Sequence, residues 1–137
     1  MNQTALDLRN YAKNLIAYEV SQTVSFESTH TAAFVVIEKL IPHFSTLMGA
    51  AGFRALILRS LLLANAEVAW LRDLRVKEDS SFEGLKELAA KMSPEEIAAG
   101  GIVILAQLLG LLMTLIGEDL TLRLLNNIDN LKFGTED

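Results

Sequence analysis

A charge-free stretch near the carboxyl end constrains this chain more than any other feature. Residues 101–117 contain no acidic or basic side chain, and Glu118 and Asp119 follow at once. At the rise of an α-helix this stretch is about 25 Å long, which is shorter than a hydrocarbon core of about 30 Å. No cluster of basic residues and no belt of Trp or Tyr flanks it, although a membrane span favours both. Length alone leaves a membrane span and a soluble core helix open.

The arrangement of polar residues around this helix favours the core helix. Six polar or small residues fall within an arc of about 100°, and Leu, Ile and Met occupy the rest. A single lipid-facing helix gains nothing from such a seam, whereas a packed helix can present it to water or to a partner helix. Small residues at this spacing also occur where membrane helices dock, so membrane insertion stays the alternative. We call these six residues the seam and predict that it is an interaction surface: Gln107, Gly110, Thr114, Gly117, Glu118 and Thr121.

Helical spacing dominates the whole chain and predicts a single all-α domain over residues 1–137 with about five helices. We expect helices at 4–20, 28–49, 51–72, 84–92 and 93–131, and Pro42 either kinks the second helix or starts a new one. Residues 74–83 form a small hairpin or a plain loop, and Gly100-Gly101 bends the last helix. Ser93, Pro94 and Glu96 predict a capping box at its start. The charges of helix 51–72 do not collect on one face, which predicts burial on several sides, and no internal repeat is evident.

Composition and charge exclude several functional classes. Hydrophobic residues make up 51% of the 137 residues, and there is no cysteine, so disulfides, thiolate metal sites and a Cys nucleophile are excluded. Residues 1–77 hold 8 Lys and Arg against 6 Asp and Glu, whereas residues 78–137 hold 4 against 11. This acidic second half repels phosphate and disfavours nucleic-acid binding. The charged amino-terminal segment lacks the apolar core of a signal peptide, so we expect a cytoplasmic protein.

Few residues offer chemistry. Glu27 and His30 have the Glu-x-x-His spacing of di-iron bundles, but His43 lacks a second Glu three residues before it. Glu38 and Glu118 would be the further acidic groups of a metal-binding or small-molecule-binding bundle, which stays a second alternative. No catalytic triad, nucleophile elbow or phosphate loop is present, so we predict no catalytic residue, no metal and no cofactor. Glu118 is either an exposed acid or the partner of a buried arginine; the candidate partners are Arg54 and Arg59.

Three segments resemble a group of small bacterial helical proteins for which no activity is established. They read "AGFRALILRSLLLANAEVAWL", "LRVKEDSSFEGL" and "PEEIAAGGIVILAQLLGLLMTLIGEDLTLRLL" and span residues 51–125. The resemblance implies a soluble bacterial protein and transfers no catalytic residue. The third segment is the most specific, with Gly100-Gly101, Gln107, Gly110, Gly117-Glu118 and Leu120-Thr121-Leu122-Arg123 in that order.

The sequence therefore predicts a non-catalytic regulatory or protein-interaction module. Its apolar content is high for one small domain, and surplus apolar surface has to be covered. We expect a protein partner or a second copy of the chain to cover it, and a homo-oligomer to form. The alternatives are a membrane-active protein that inserts its apolar carboxyl-terminal helix, and the small-molecule-binding or metal-binding bundle.

Overall fold

The computed structural model describes residues 2–22 and 26–128, with side chains for residues 8–22 and 29–128. These residues form an all-α domain, as predicted, and one small antiparallel hairpin lies in the segment for which a hairpin or a plain loop was left open. The helices are α1 (Asn2–Ser21), α2 (Ala32–Met48), α3 (Ala50–Asn65), α4 (Leu85–Lys91), α5 (Pro94–Ile116) and α6 (Glu118–Asn126). Short 3₁₀ helices cover Phe26–Thr31 and Ala69–Asp73, and the hairpin strands are β1 (Arg75–Val76) and β2 (Phe82–Glu83).

Helix α5 is the central helix of the fold. It packs against α1, α2, α3 and α6, and ten of its residues are buried. The predicted capping box starts it: the Ser93 hydroxyl accepts the Glu96 N–H, and the Glu96 carboxylate accepts the Ser93 N–H, both at 3.1 Å. The prediction that the domain packs around this long apolar helix is therefore confirmed, although the last turn of the helix carries the exposed Leu115. Aromatic residues of α2 and α3 complete the core around α5, including the stacked Phe44 and Phe53, whose ring centroids are 5.6 Å apart.

Both glycines in the middle of α5 lie at close helix contacts. The helix continues unbroken through them. A Cβ built on Gly101 would lie 2.6 Å from the Cβ of Ala33 in α2, and one on Gly100 would lie 2.6 Å from the Trp70 ring. The indole Nε1 of Trp70 donates to the Glu96 carbonyl at 3.1 Å. Because Gly100 and Gly101 carry no side chain, α2 and Trp70 can approach the α5 backbone closely.

Two helix boundaries differ from the prediction. Helix α3 ends at Asn65 instead of residue 72, because the chain becomes extended at Val68 and then forms the 3₁₀ helix that carries Trp70 to α5. The last helix ends at Ile116 instead of residue 131, because Gly117 adopts φ 94° and ψ 153°. Helix α6 starts directly after it, so the described residues contain six helices rather than about five. Part of the predicted range, residues 129–131, lies outside the described residues.

The other elements have the predicted type, and their ends differ from the prediction by only a few residues. Helix α2 continues through Pro42, and a 3₁₀ helix precedes it where the longer predicted helix began. Residues 74–83 form the hairpin, with Arg75 opposite Glu83 and Val76 opposite Phe82. In its turn, the Asp79 carboxylate accepts the Ser81 hydroxyl at 2.6 Å and the Ser81 N–H at 3.0 Å. These two donors hold the pKa of Asp79 below its ordinary value.

Candidate interaction surface

Four of the six seam residues line one open groove. Gln107, Gly110, Thr114 and Glu118 face a space of about 430 Å³, and Leu8 of α1 closes one side of it. A Cβ on Gly110 would lie 3.1 Å from Cδ1 of Leu8, so this glycine lets α1 approach α5. The residues that the helical spacing placed together are therefore together in the structure. Leu111 and Met113 complete the lining.

The remaining two seam residues belong to the corner between α5 and α6. Gly117 is exposed, and Thr121 is fully buried with its hydroxyl donating to the Gly117 carbonyl at 2.8 Å. A buried side chain with an internal hydrogen bond cannot contact a partner, so the prediction for Thr121 is wrong. The reason is the corner itself, because a count of residues per turn has no meaning across a break in the helix.

The predicted ion pair of Glu118 does not form. Glu118 is exposed, and so is Arg59. The Arg54 guanidinium instead donates two hydrogen bonds to the hairpin of β1 and β2. Its Nε lies 2.8 Å from the Lys77 carbonyl oxygen, and an Nη lies 3.0 Å from the Val76 carbonyl oxygen. The buried alternative for Glu118 is therefore wrong, and the exposed alternative is right. Arg54 attaches the hairpin to α3.

Two ion pairs do link distant parts of the described chain. Arg9 binds both carboxylate oxygens of Glu67 at 2.6 and 2.7 Å on the surface. Lys39 of α2 binds Glu19 of α1, whose side chain is only 8% exposed. A buried carboxylate needs a paired cation, so the second pair fixes α1 against α2. Both pairs have a structural role that explains them without a ligand.

The residues that suggested a metal site do not converge where the structure describes them. His30 lines a separate groove of about 510 Å³ beside Phe82 and Lys86. His43 is exposed, and Glu38 accepts the Phe82 N–H at 3.4 Å. The side chain of Glu27 lies outside the described residues. Within residues 29–128 and the described part of α1, no three potential ligands are close enough to share an ion.

Helix α3 has an apolar outer face that was not predicted from the sequence. One side of this helix is buried, through Phe53, Ile57, Ser60, Leu61 and Ala64. The other side is exposed, so the prediction of burial on several sides is wrong. Four large apolar residues of the described chain are strongly exposed: Leu47 at 48%, Leu58 at 40%, Leu62 at 57% and Leu115 at 61%. Of these, Leu58 and Leu62 lie on the outer face of α3. Leucines four apart were a visible signal, but the surrounding leucines concealed it.

Two stretches pass a length and hydropathy test for membrane spans, Thr29–Met48 and Pro94–Ile116. The second has a mean hydropathy of 2.3, and half of its window is buried inside the protein. The core helix of a soluble protein passes the same test.

Comparisons with known proteins add no relative. No family model matches the chain, and no curated protein and no solved structure is similar to it.

Proposed function

We propose that the protein is a non-catalytic regulatory module that acts by protein contact and associates with itself. The observation that supports this proposal is the exposure of four leucines, each 40–61% exposed, in a domain whose other described large aliphatic side chains are buried or partly buried. Exposed apolar patches mark interaction sites more often than isolated exposed residues do. A cytoplasmic, bacterial setting is part of the same proposal.

The exposed leucines also set the expected strength of association. Together they are equivalent to about two fully exposed leucines per copy, and covering those on both copies of a dimer would contribute about 6–12 kcal/mol. Association costs about 4–15 kcal/mol of translational and rotational freedom and side-chain ordering. The gain and the cost are of similar size, so we expect a weak, reversible oligomer with a dissociation constant in the micromolar to millimolar range.

Sedimentation equilibrium tests this proposal directly. The apparent mass should rise above the monomer between about 1 µM and about 1 mM protein, the range that corresponds to such energies. A variant with all four leucines replaced by Gln should stay monomeric and keep its helical circular dichroism, because each side chain is already 40–61% exposed. A monomeric wild type over the whole range would contradict the proposal.

The seam groove is the proposed contact for a protein partner. It is open, small and mixed in polarity, which suits one or two partner side chains. Thr114 is exposed at its rim, so Thr114→Trp should fill the groove without loss of stability. The native complexes of the wild type and of this variant can be compared by chemical cross-linking. The variant should lose the cross-links near Gln107. Unchanged cross-links would remove the groove from the proposal.

Membrane insertion is the second candidate, and the apolar length of α5 favours it. Insertion requires α5 to leave α1, α2 and α3, so it should destroy the environment of Trp70 beside Gly100. Flotation with anionic and with zwitterionic vesicles, combined with tryptophan fluorescence, tests it. Protein that remains entirely in the soluble fraction with unchanged fluorescence would exclude this candidate.

A further inference from the structure

The outer face of α3 is apolar along its whole length. Its exposed residues are small in the first half of the helix and large in the second half. Arg59 is its one charge, and the exposed apolar residues lie four, three and four positions apart. This is the spacing of the contact seam between two packed helices. The apolar positions are Ala51, Ala55, Leu58 and Leu62, with Gly52 beside them.

The order of small and large residues makes this face complementary to itself in one orientation. When two copies of α3 run antiparallel, Ala51 faces Leu62 of the second copy and Ala55 faces Leu58 of the second copy. Both pairs share one register, because the spacing reads the same in either direction. We propose that the protein forms a two-fold symmetric dimer in which the outer faces of two α3 helices pack antiparallel, each leucine over an alanine. Such a contact is isologous, so it closes at two copies.

The parallel orientation fits less well. It would set Leu58 and Leu62 against the same leucines and leave alanine against alanine at the other end. The helix axes would then be far apart at one end and close at the other, with an unfilled gap that forfeits dispersion contacts. The antiparallel register keeps an equal separation along the seam. It also brings the end of the second α3 to the corner at Gly49, where Leu47 is exposed.

The dimension of the face predicts a reversible dimer. Helix α3 has 16 residues and is about 24 Å long, so a strip about 10 Å wide covers a few hundred Å² on each copy. A typical stable complex buries about 800 Å² per partner. The two Arg59 side chains would lie about 7.5 Å apart along the helix direction and repel weakly. Added salt should therefore not dissociate the dimer, in contrast to an interface held by ion pairs.

This inference rests on the proposed self-association, and a matched pair of variants separates the two. Leu62→Glu introduces a charge into the α3 seam, whereas Leu115→Glu introduces the same charge at an equally exposed leucine of α5. We expect Leu62→Glu to weaken the dimer about ten-fold or more and Leu115→Glu to leave its dissociation constant unchanged. Both variants should retain the thermal stability of the wild type. A wild type that dimerises but responds to Leu115→Glu alone would overturn the α3 dimer and leave the self-association intact. A monomeric wild type at every concentration would overturn both.

The absence of cysteine from the chain allows a direct test of register. In the antiparallel dimer, Ala51 and Leu62 of the second copy lie in one layer, whereas the two Ala51 residues are about 16 Å apart. A mixture of Ala51→Cys and Leu62→Cys treated with a short bis-maleimide should give cross-linked heterodimer well above the yield of either variant alone. Equal cross-linking of Ala51→Cys with itself would contradict the antiparallel register.

Discussion

Substitution of Gly101 by alanine is the sharpest test of the packing around α5. The new Cβ would lie 2.6 Å from the Cβ of Ala33 and 3.3 Å from a ring carbon of Phe34. Carbon atoms in contact are normally about 3.5–4.0 Å apart, so α2 and α5 have to separate by about 1 Å. The Ala33 Cβ is fixed to its backbone and only 3% exposed, so no side-chain rotation can relieve the contact.

The expected magnitude follows from two opposing terms. Overpacking costs about 1–3 kcal/mol, and the upper end applies because a backbone has to move. Alanine is about 1 kcal/mol better than glycine within a helix. We therefore expect Gly101→Ala to lower the free energy of unfolding by about 2 kcal/mol. Urea unfolding followed by circular dichroism measures this change, with an unaltered slope as the check for two-state behaviour.

Gly110 in the same helix provides the matched control. Its added Cβ would meet only the end of the flexible Leu8 side chain, at 3.1 Å. Gly110→Ala should therefore be neutral or stabilise by up to about 1 kcal/mol. In addition, Ala33→Gly should remove most of the cost of Gly101→Ala in the double variant, with a coupling of about 2 kcal/mol. A Gly101→Ala variant as stable as Gly110→Ala would refute the close approach of α2 and α5.

Three further substitutions test other local arrangements. Gly100→Ala should displace the ring of Trp70, the chain's one tryptophan, and shift its fluorescence to the red; an unshifted spectrum would contradict the contact. Ser81→Ala should raise the pKa of Asp79 toward its ordinary value, because it removes the Ser81 hydroxyl, the stronger of the two hydrogen-bond donors that lower this pKa, and keeps the backbone N–H; a carboxyl titration by NMR measures this. Since the folded pKa is the lower one, the stabilisation by Asp79 is present above about pH 4 and is lost as the pH falls through the folded value. Gly117→Ala should cost about 1–3 kcal/mol from backbone strain alone, as no atom lies within 4 Å of the new Cβ; unchanged stability in urea would refute the strained corner.

Local signals in the sequence were sufficient where the structure is itself local. The capping box at Ser93 forms because both of its hydrogen bonds join residues three apart. The seam from Gln107 to Thr114 lies on one face because an unbroken helix keeps its period. The central position of α5 followed from its wide apolar face, which can be satisfied only by surrounding helices.

The corner at Gly117 could not be predicted from periodicity, although the similar corner at Gly49 was predicted as a helix end. Gly49 and Gly117 have nearly the same backbone, φ 88° with ψ 149° and φ 94° with ψ 153°. Each follows a similar tripeptide, Thr-Leu-Met or Thr-Leu-Ile. Each donates its N–H to a carbonyl four residues back and accepts the N–H four residues on, so the corner sacrifices neither of these bonds. The helical pattern therefore continues through a change of direction that only the glycine backbone permits.

Packing of the domain's own core does not explain the exposed leucines on the outer face of α3. Phe53, Ile57 and Ala64 already attach this helix to the core, so the fold does not require leucine on the opposite side. A charged residue at Leu62, which is 57% exposed, would cost the isolated domain little and would increase its solubility. Helices that only border water normally carry such charges on their outer face. Exposed leucines and alanines at this spacing are instead what the proposed antiparallel contact between two copies would require, which is why the α3 variants test that contact more directly than any change in the core.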